Sequence, residues 1–194
     1  MNITYLISAY NRPDHLACCL YSLKIQTDRD FEAIVVDNST HSQAIARNRE
    51  AVHNLLDHRF HYRHVGTPGA YHAIEAAIPL ATGDYLCFPS DDSYYVPTFA
   101  CTLLTAAHST TPCADLVYCD MLYDERMFGD RYDVLTVYPR LGSIDKTGFI
   151  LARHKFQPFP DKGPNSCSDG YLIDKLIREG ITHTKVPGVF VVHS

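Results

Sequence analysis

Short apolar runs alternate with amphipathic stretches along the first half of the chain. Runs rich in β-branched and aromatic residues predict strands at 3–8, 31–36, 60–65 and 85–88. Helices are predicted between them, and the first takes its inward face from Leu16, Cys19, Leu20 and Leu23. A polar helix follows the second strand, with Ile45, Val52, Leu55 and Leu56 expected to point inward. Strand and helix at this spacing are typical of a parallel sheet with helices on both faces.

The pattern loosens after Pro97, although the same types of element continue. A helix is predicted at 98–108 and a strand at 115–121. The remaining predictions are strands near 132–138 and 148–153, a helix at about 168–179, and a last strand in "VFVVH". Because no repeat or linker interrupts the chain, residues 1–194 are predicted to form a single α/β domain with an irregular second half.

Composition and charge exclude several classes of protein. A hydrophobic fraction of 46% is enough for a sizeable core, and a net charge of −5 argues against a general nucleic-acid binder. Seven cysteines without a C-x-x-C motif fit neither a disulfide framework nor a zinc knuckle. Since no apolar run approaches the roughly 20 residues of a membrane span and no signal peptide is recognisable, the expected location is cytoplasmic.

Three histidines, His58, His61 and His64, invite comparison with a metal site. On a strand, residues three apart point to opposite faces, so these rings do not converge easily. We therefore expect them to be surface or rim residues.

Polar residues follow three of the predicted strands at the point where each ends. They are Ser8, Tyr10 and Arg12 after the first strand, Asp37 and Asn38 after the second, and Asp91 and Asp92 after the fourth. Ligands of open α/β sheets bind at this edge, so a binding site is predicted there. The adjacent carboxylates Asp91 and Asp92 repel each other, which favours a bound cation, whereas a solvated turn is the alternative.

Three stretches of the chain resemble glycosyltransferase family 2, whose members have the GT-A fold. "ISAYNRPDHLACCLYSLKIQTDRDFEAIVVDNST" is similar to the opening strand, Y-N-R/K loop, S-L-x-x-Q helix and D-x-S turn of the family. "GAYHAIEAAIPLATGDYLCFPSDDSYYVP" is similar to its A-x-G-x-Y strand entry and metal-binding D-x-D turn. "TGFILARHKF" and "SDGYLIDKLIREGITHTKVPGVFVVH" are similar to its acceptor-side strand and catalytic helix.

The resemblance implies a GT-A, Rossmann-like, mostly parallel sheet flanked by helices. Residues 1–97 would bind the nucleotide sugar and residues 98–194 the acceptor. The implied reaction is inverting, metal-dependent transfer from a UDP or dTDP sugar to a glycan or other hydroxyl acceptor. Glycan or surface-polysaccharide assembly is the implied setting, and a lipid-linked acceptor would bring the protein to a membrane surface.

The same resemblance assigns roles on the donor side. Ser90, Asp91 and Asp92 fall on D-x-D, with serine in place of the first aspartate. Asp92 would hold Mn²⁺ or Mg²⁺, and Asp91 would meet the ribose or the metal's waters. Asp37 would accept the nucleobase imide N–H. Ser8 and Tyr10 would line the nucleoside pocket, and Arg12 would approach the phosphates.

Two further residues have competing interpretations. Asp169 is either a helix-capping acid or, by the resemblance, the general base that deprotonates the acceptor hydroxyl. His193 is either a structural histidine at a strand end or, by the resemblance, a metal ligand.

Two other functions stay open at this stage. A nucleotidyltransferase shares the α/β outline but should have a glycine-rich basic loop after the first strand, and "SAYNRPDH" contains no glycine. A non-catalytic nucleotide-binding module would explain the missing first aspartate and the absence of an arginine, common in the family, around residues 69–72.

Overall fold

A mixed β-sheet flanked by helices organises the protein in a computed structural model that describes residues 2–66, 69–124, 132–160 and 167–194. Its strands are β1 (Ile3–Ala9), β2 (Phe31–Asp37), β3 (Phe60–His64), β4 (Tyr85–Cys87), β5 (Ser93–Tyr95), β6 (Leu116–Asp124), β7 (Tyr132–Leu135), β8 (Phe149–Ala152) and β9 (His183–His193). The α-helices are α1 (Pro13–Lys24), α2 (Ser42–His53), α3 (Ala70–Ala77), α4 (Phe99–His108) and α5 (Ser168–Arg178). Short 3₁₀ turns cover Ile78–Leu80, Lys146–Gly148 and Arg153–Lys155.

The strand order is β3-β2-β1-β4-β8-β6-β9-β5, and β7 pairs with β6. The first half is parallel, as predicted, because β1 pairs in parallel with β2 and β4, and β2 with β3. The second half adds antiparallel pairs of β8 with β4 and β6, of β7 with β6, and of β5 with β9. The α/β class is confirmed. Most of the described strands, β1 to β4, β6 and β9, run in one direction, as predicted, while β5, β7 and β8 run against them and make the sheet mixed.

Strand direction brings the predicted site residues to one edge of the sheet. β8 runs antiparallel to both β4 and β6, so β6 runs parallel to β4, and β9 is in turn parallel to β6. The carboxyl ends of β1, β2, β4 and β9 therefore face the same side. His193 at the end of β9 lies at the edge where Asp37 and the Asp91–Asp92 pair lie, as the sequence pattern anticipated.

Helix α1 shows how the apolar pattern fixes an element. Pro13 occupies its first turn with Asp14, a favourable start because proline needs no helical N–H partner there and an acid suits the helix dipole. Its predicted inward residues Leu16, Cys19, Leu20 and Leu23 are all fully buried. The helix thus covers the sheet on the face that the spacing predicted.

Local differences from the predicted elements have simple causes. Leu56, expected to point inward, is 87% exposed because the chain leaves α2 before it and takes a left-handed φ of 48°. Asn48 and Ala44 are buried on that helix instead. Strand β5 was not anticipated, because its three residues follow a polar turn and owe their conformation to pairing with β9.

The helices that the structure describes are short: α1 and α2, the longest, have 12 residues each. None within the described ranges combines the length and apolar character that crossing a bilayer demands.

Gly83, just before β4, lies very close to the backbone at the start of β1. Its N–H donates to Thr4 Oγ1 at 2.8 Å, and a Cβ added there would lie 2.6 Å from Thr4 N and 2.9 Å from Ile3 C.

We expect Gly83→Ala to lower the free energy of unfolding by about 1–3 kcal/mol, because backbone atoms must move. Urea unfolding measures it. Gly148→Ala is the matched control, since the nearest atom to its added Cβ is 3.7 Å away. Equal losses in both variants would contradict the assignment.

Candidate active site

The Ser90–Asp92 segment (called here the acidic turn) is attached to the end of β1 by backbone hydrogen bonds. Ser8 N donates to Pro89 O at 3.0 Å, and Asp91 N donates to Ser8 O at 3.0 Å. These bonds form an isolated parallel bridge between Ser8 and Ser90, which continues the pairing of β1 with β4 beyond β4 itself. The acidic turn therefore has a fixed position at the sheet edge, although it lies outside regular structure.

Phe88 anchors the acidic turn from below. Its side chain is fully buried, and its ring centroid lies 5.9 Å from Phe149, 5.8 Å from Phe156 and 5.8 Å from Phe159. Aromatic pairs at these separations contribute beyond their buried area. The turn consequently starts from a rigid apolar base.

Arg12 joins the two aspartates of the acidic turn. Its guanidinium donates through Nη1 to Asp92 Oδ2 at 2.6 Å and through Nη2 to Asp91 Oδ1. Asp91 Oδ2 also accepts from Tyr10 N at 2.9 Å. The arginine side chain is 46% exposed, whereas those of Asp91 and Asp92 are 1% and 7% exposed. Two buried carboxylates thus share one half-exposed cation.

Burial and charge act in opposite directions on this cluster. Burial raises the pKa of Asp91, and the Arg12 charge and the Tyr10 N–H only partly offset it, so the pKa stays above its ordinary value. For Arg12, burial lowers the pKa, but the two carboxylates outweigh that effect and raise it. The guanidinium is therefore firmly charged and is the group that makes a paired arrangement of the acids tolerable.

Asp92 offers one oxygen for a further ligand. Within the described part of the chain, its buried Oδ1 has no hydrogen-bond partner. His193 Nδ1 lies 3.6 Å from that oxygen and 3.4 Å from Ser93 Oγ. A carboxylate oxygen and an imidazole nitrogen at this spacing are suitable ligands for Mn²⁺, and the carboxylate also for Mg²⁺. The residues present fit a divalent cation.

No complete metal cage is formed by the side chains that the structure describes. No group of three or more His, Cys, Asp or Glu residues among them is arranged to hold a metal ion. His58, His61 and His64 are exposed, as predicted. A cation held by Asp92 and His193 would therefore need further ligands from outside this set of side chains.

A cavity of about 620 Å³ opens beside the acidic turn. It is lined by four of the predicted donor-site residues, Ser8, Tyr10, Arg12 and Asp91. The other lining residues come from the ends of β1, β2 and β3, from α2, from the start of α3 and from the turn itself: Ala9, Asn38, Ser39, Thr40, Ile45, His64, Gly66, Gly69, Ala70 and Ser90. The predicted convergence of three strand ends thus produces one cavity.

Asp37 does not line this cavity. It is fully buried, and its carboxylate accepts from Ser39 N at 2.8 Å and from the Tyr62 hydroxyl at 2.6 Å. Burial and this carboxylate together raise the pKa of Tyr62, which keeps the hydroxyl a donor. The expected contact of Asp37 with a nucleobase conflicts with this geometry, because the carboxylate is turned to internal partners.

Asn38, the next residue, reaches the cavity wall instead. In the amide orientation that satisfies its hydrogen bonds, the side-chain nitrogen donates to Ala9 O at 2.7 Å and the oxygen accepts from Gly69 N at 3.2 Å. Asn38 therefore links the ends of β1 and β2 to the start of α3.

Asp169 lies at the start of α5 and is 6% exposed. Its Oδ2 accepts from Lys146 N at 2.8 Å, and its Oδ1 accepts from Gly170 N at 2.9 Å and from the Tyr71 hydroxyl at 3.2 Å. Burial raises the pKa of Asp169, the nearby Asp145 carboxylate raises it further, and the two N–H donors and the Lys146 charge only partly lower it. The result is a carboxylate that binds a proton more readily than usual.

The sequence pattern did not single out Lys146 or Tyr71. Lys146 Nζ donates to Phe88 O at 3.1 Å and to Ser90 Oγ at 2.6 Å, so it contacts the serine that replaces the first aspartate of D-x-D. Its only signal in the sequence is its place immediately before the "TGFILARHKF" stretch. Tyr71 has a comparable signal, because it follows "GA" at the start of α3.

A family model described as "Glycosyl transferase family 2" matches residues 4–161. The chain belongs to glycosyl transferase family 2. Among curated proteins, Protein CgeD of Bacillus subtilis (strain 168) is 27% identical over 104 residues, which cover 49% of this chain. That match spans 24% of CgeD, so the matched half of this family 2 chain corresponds to about a quarter of that relative.

Solved structures confirm the GT-A fold of this family 2 chain. The TarS 1–349 fragment of S. aureus in complex with UDP-GlcNAc has a TM-score of 0.70 and 18% identity, covering 99% of this chain and 58% of that one. The mannosyltransferase PcManGT from Pyrobaculum calidifontis in complex with GDP-Man and Mn²⁺ has a TM-score of 0.74 and 20% identity, covering 98% and 56%.

The shared cation of the acidic turn predicts a pH-dependent loss of stability in Arg12→Gln. We expect the variant to lose about 1–3 kcal/mol at neutral pH, less than a fully buried ion pair because Arg12 is 46% exposed. The pKa of Asp91 is raised in the folded protein, so its ionised form opposes folding, and more strongly without Arg12. The loss should therefore be present near pH 7 and shrink toward about pH 4, where carboxylates take up protons.

Urea unfolding at both pH values measures this difference. Arg47→Gln is the control, because Arg47 pairs with Asp14 at 2.5 Å while their side chains are 49% and 81% exposed. Its loss should stay below about 0.5 kcal/mol at either pH. A loss in Arg12→Gln that does not depend on pH would contradict the electrostatic explanation.

Proposed function

We propose that this chain transfers a sugar from a nucleotide diphosphate sugar to a hydroxyl acceptor, with inversion at the anomeric carbon and with a divalent cation. The observation that carries the proposal is the cavity of about 620 Å³ beside an acidic turn whose Asp92 keeps one buried carboxylate oxygen without a hydrogen-bond partner among the described residues. Family membership supports the same reaction, and similar structures hold UDP-GlcNAc or GDP-Man.

The donor would lie in the cavity with its diphosphate toward the acidic turn. A volume of this size suits a small ligand of this class. Ser8 and Tyr10 would contact the nucleoside, Asp91 the ribose or metal-bound water, and Arg12 the phosphates. Arg12 is the cation that lines the cavity among the residues described there, so it would supply the phosphate contact of the arginine missing near residues 69–72.

UDP or dTDP remains our proposal for the nucleotide, but its support has changed. The argument from the sequence needed Asp37 to accept an imide N–H, and that carboxylate is buried. The cavity wall near the end of β2 instead contains Asn38, Ser39 and Thr40. The identity of the base is therefore a question for a donor panel.

The cation would be Mn²⁺ or Mg²⁺, held by Asp92 Oδ1 and, in the case of Mn²⁺, His193 Nδ1. Bound there, it would supply positive charge for the departing diphosphate. The protein's own contribution is to keep one carboxylate oxygen unpaired at the sheet edge and to place Arg12 beside it. Ligands from the diphosphate and from water would complete the coordination.

Asp169 is the proposed general base. In a single displacement, the acceptor oxygen forms a bond to the anomeric carbon as the bond to the diphosphate breaks, and the hydroxyl proton passes to the Asp169 carboxylate. Its raised pKa suits a group that must take up a proton near neutral pH. The capping alternative is less well supported, because Asp169 accepts from Lys146 N, which belongs to a separate loop.

The biological setting is proposed by analogy with the family. Glycan or surface-polysaccharide assembly, a cytoplasmic location and contact with a membrane through a lipid-linked acceptor all stay predictions. The sugar and the acceptor are to be found by experiment.

The first experiment is a thermal-shift panel of UDP-, GDP-, dTDP- and CMP-sugars with and without Mn²⁺. A ligand that binds only the folded protein raises its apparent stability. We expect one nucleotide class to raise Tm, and to raise it more with Mn²⁺. If none of them shifts Tm in either condition, the proposed function is wrong.

Metal binding in the nucleotide complex tests Asp92 and His193. With the nucleotide found in the panel, Asp92→Asn and His193→Ala should each weaken Mn²⁺ binding about tenfold or more, while metal-free nucleotide binding changes little. Electron paramagnetic resonance of free Mn²⁺ gives the affinity. His183→Ala is the control, because it lies on the same strand at the opposite end. Superimposable titrations of His193→Ala and the parent would remove His193 from the metal site.

Asp169→Asn should leave nucleotide-sugar binding nearly intact but reduce transfer by about 10²–10⁴-fold, because only the proton acceptor is lost. Release of nucleoside diphosphate, with a hydroxyl acceptor or with water, measures it. In the parent, the raised pKa of Asp169 means that activity is lost as pH falls through a value above that of an ordinary carboxyl. Asp174→Asn, a change further along α5 at an ion pair with Arg178, is the control. Parental turnover in Asp169→Asn would favour a non-catalytic module or another base.

A further inference from the structure

Lys146 connects the two parts of the candidate active site. Its ammonium donates to Phe88 O at 3.1 Å and to Ser90 Oγ at 2.6 Å, on the donor side. Its backbone N–H donates to Asp169 Oδ2 at 2.8 Å, on the side of the proposed base. One residue therefore holds the acidic turn with its side chain and the base with its main chain.

The surroundings of this ammonium differ from those of most other described lysines; Lys24 also donates to a backbone carbonyl, Leu55 O at 2.8 Å, but is less buried. Lys146 is 7% exposed, and both acceptors of its ammonium are neutral. Lys155, Lys175 and Lys185, by contrast, lie near carboxylates at 3.8, 3.9 and 2.6 Å and are more exposed. No carboxylate of the described residues forms an ion pair with the Lys146 ammonium, although its charge acts on the nearby Asp145 and Asp169. Burial of a charge without a directly bonded ionic partner is costly. Packing alone does not account for a lysine here.

The residue at position 90 matches this lysine. An aspartate there would place a carboxylate within salt-bridge distance of the ammonium, given the 2.6 Å contact to Ser90 Oγ. The serine instead accepts a hydrogen bond without neutralising the charge. The serine that departs from D-x-D is thus a direct hydrogen-bond acceptor of the buried lysine.

The charge of Lys146 also acts on the base. The titratable groups that face Asp169 from the described elements are Asp145 and Lys146, from the loop before β8, and Tyr71, from α3. Asp145 disfavours the ionised form of Asp169, and Tyr71 donates a neutral hydroxyl. Lys146 is the cation of this set, and its charge lowers the pKa of Asp169.

We propose that Lys146 is a positioning residue that fixes Asp169 relative to the acidic turn, acting through Ser90 and Phe88 on one side and through its own backbone N–H on the other. The inference rests on the proposed function. It adds that Lys146 links the acidic turn, which would bind the donor, to Asp169, the proposed base. The two would not then take their positions at the sheet edge independently.

Lys146→Met tests the proposal, since methionine keeps most of the side-chain volume and the backbone N–H but removes the ammonium. Lys146→Arg keeps a positive charge. Lys175→Met is the matched control, because it removes a lysine from α5, the helix that carries Asp169. The readouts are donor affinity by calorimetry with Mn²⁺, the pH profile of nucleoside diphosphate release, and the ¹³C NMR titration of Asp169, assigned by its loss in Asp169→Asn.

For Lys146→Met we expect kcat to fall about ten- to a hundredfold while KM for the donor changes by less than about threefold. The acidic limb of the pH profile and the NMR titration of Asp169 should both move to higher pH, because the cation that favours the carboxylate is gone. Lys146→Arg should return both toward the parental position. A role in stability alone would lower Tm and leave the titration of Asp169 unchanged, and that result would overturn the proposal.

The experiment separates this inference from the proposed function. If the parent shows neither nucleotide binding nor turnover, the proposed function fails, while the NMR titration still decides whether Lys146 acts on Asp169. If Lys146→Met does not fold, Ser90→Ala serves instead, because it loosens the ammonium without removing the charge. It should lower kcat without moving the titration of Asp169, and parental kcat in Ser90→Ala would reject the proposal.

Discussion

Two backbone hydrogen bonds of Ser8 fix the position of the acidic turn, on which the candidate active site is built. They attach Pro89 and Asp91 to the end of β1. Arg12 lies three residues after Ala9, the last residue of the same strand. Its side chain can therefore reach both Asp91 and Asp92. The main-chain pairing between β1 and the acidic turn thus sets the distances between Arg12 and the two aspartates.

Among the described residues, the buried carboxylates at this edge outnumber the cations that face them. Asp91 and Asp92 share Arg12, while Asp145 and Asp169 lie near Lys146. Under the proposed function, a divalent cation would add positive charge here and a diphosphate would bring further oxygen ligands. Metal and nucleotide binding would then be coupled, and such coupling is reciprocal.

Much of the fold and part of the site could be predicted, because both follow from local pattern and strand direction. The inward face of α1 follows from helical spacing, and the meeting of Ser8, Asp92 and His193 follows from parallel strands that end at one edge. The burial of Asp37 could not be predicted, since it depends on Tyr62 of a neighbouring strand.

Lys146 illustrates the same limit more strongly. It reaches Phe88 across 58 positions of the chain, from a loop whose conformation no periodicity describes. Strand β5 was missed for a related reason, because its pairing partner β9 is about a hundred residues away. Residues that act through distant partners leave little trace in their own neighbourhood.

The aromatic cluster below the acidic turn also has a mechanical meaning. Phe88 packs on Phe159, Phe159 packs on Tyr71 with ring centroids 4.6 Å apart, and the Tyr71 hydroxyl reaches Asp169. A continuous apolar path thus runs beside the polar one through Lys146. Since close-packed interiors are nearly incompressible, this path would keep a fixed distance between the acidic turn and Asp169, the proposed base. Under the proposed function, acceptor preference could be redesigned in the surrounding loops without altering that distance.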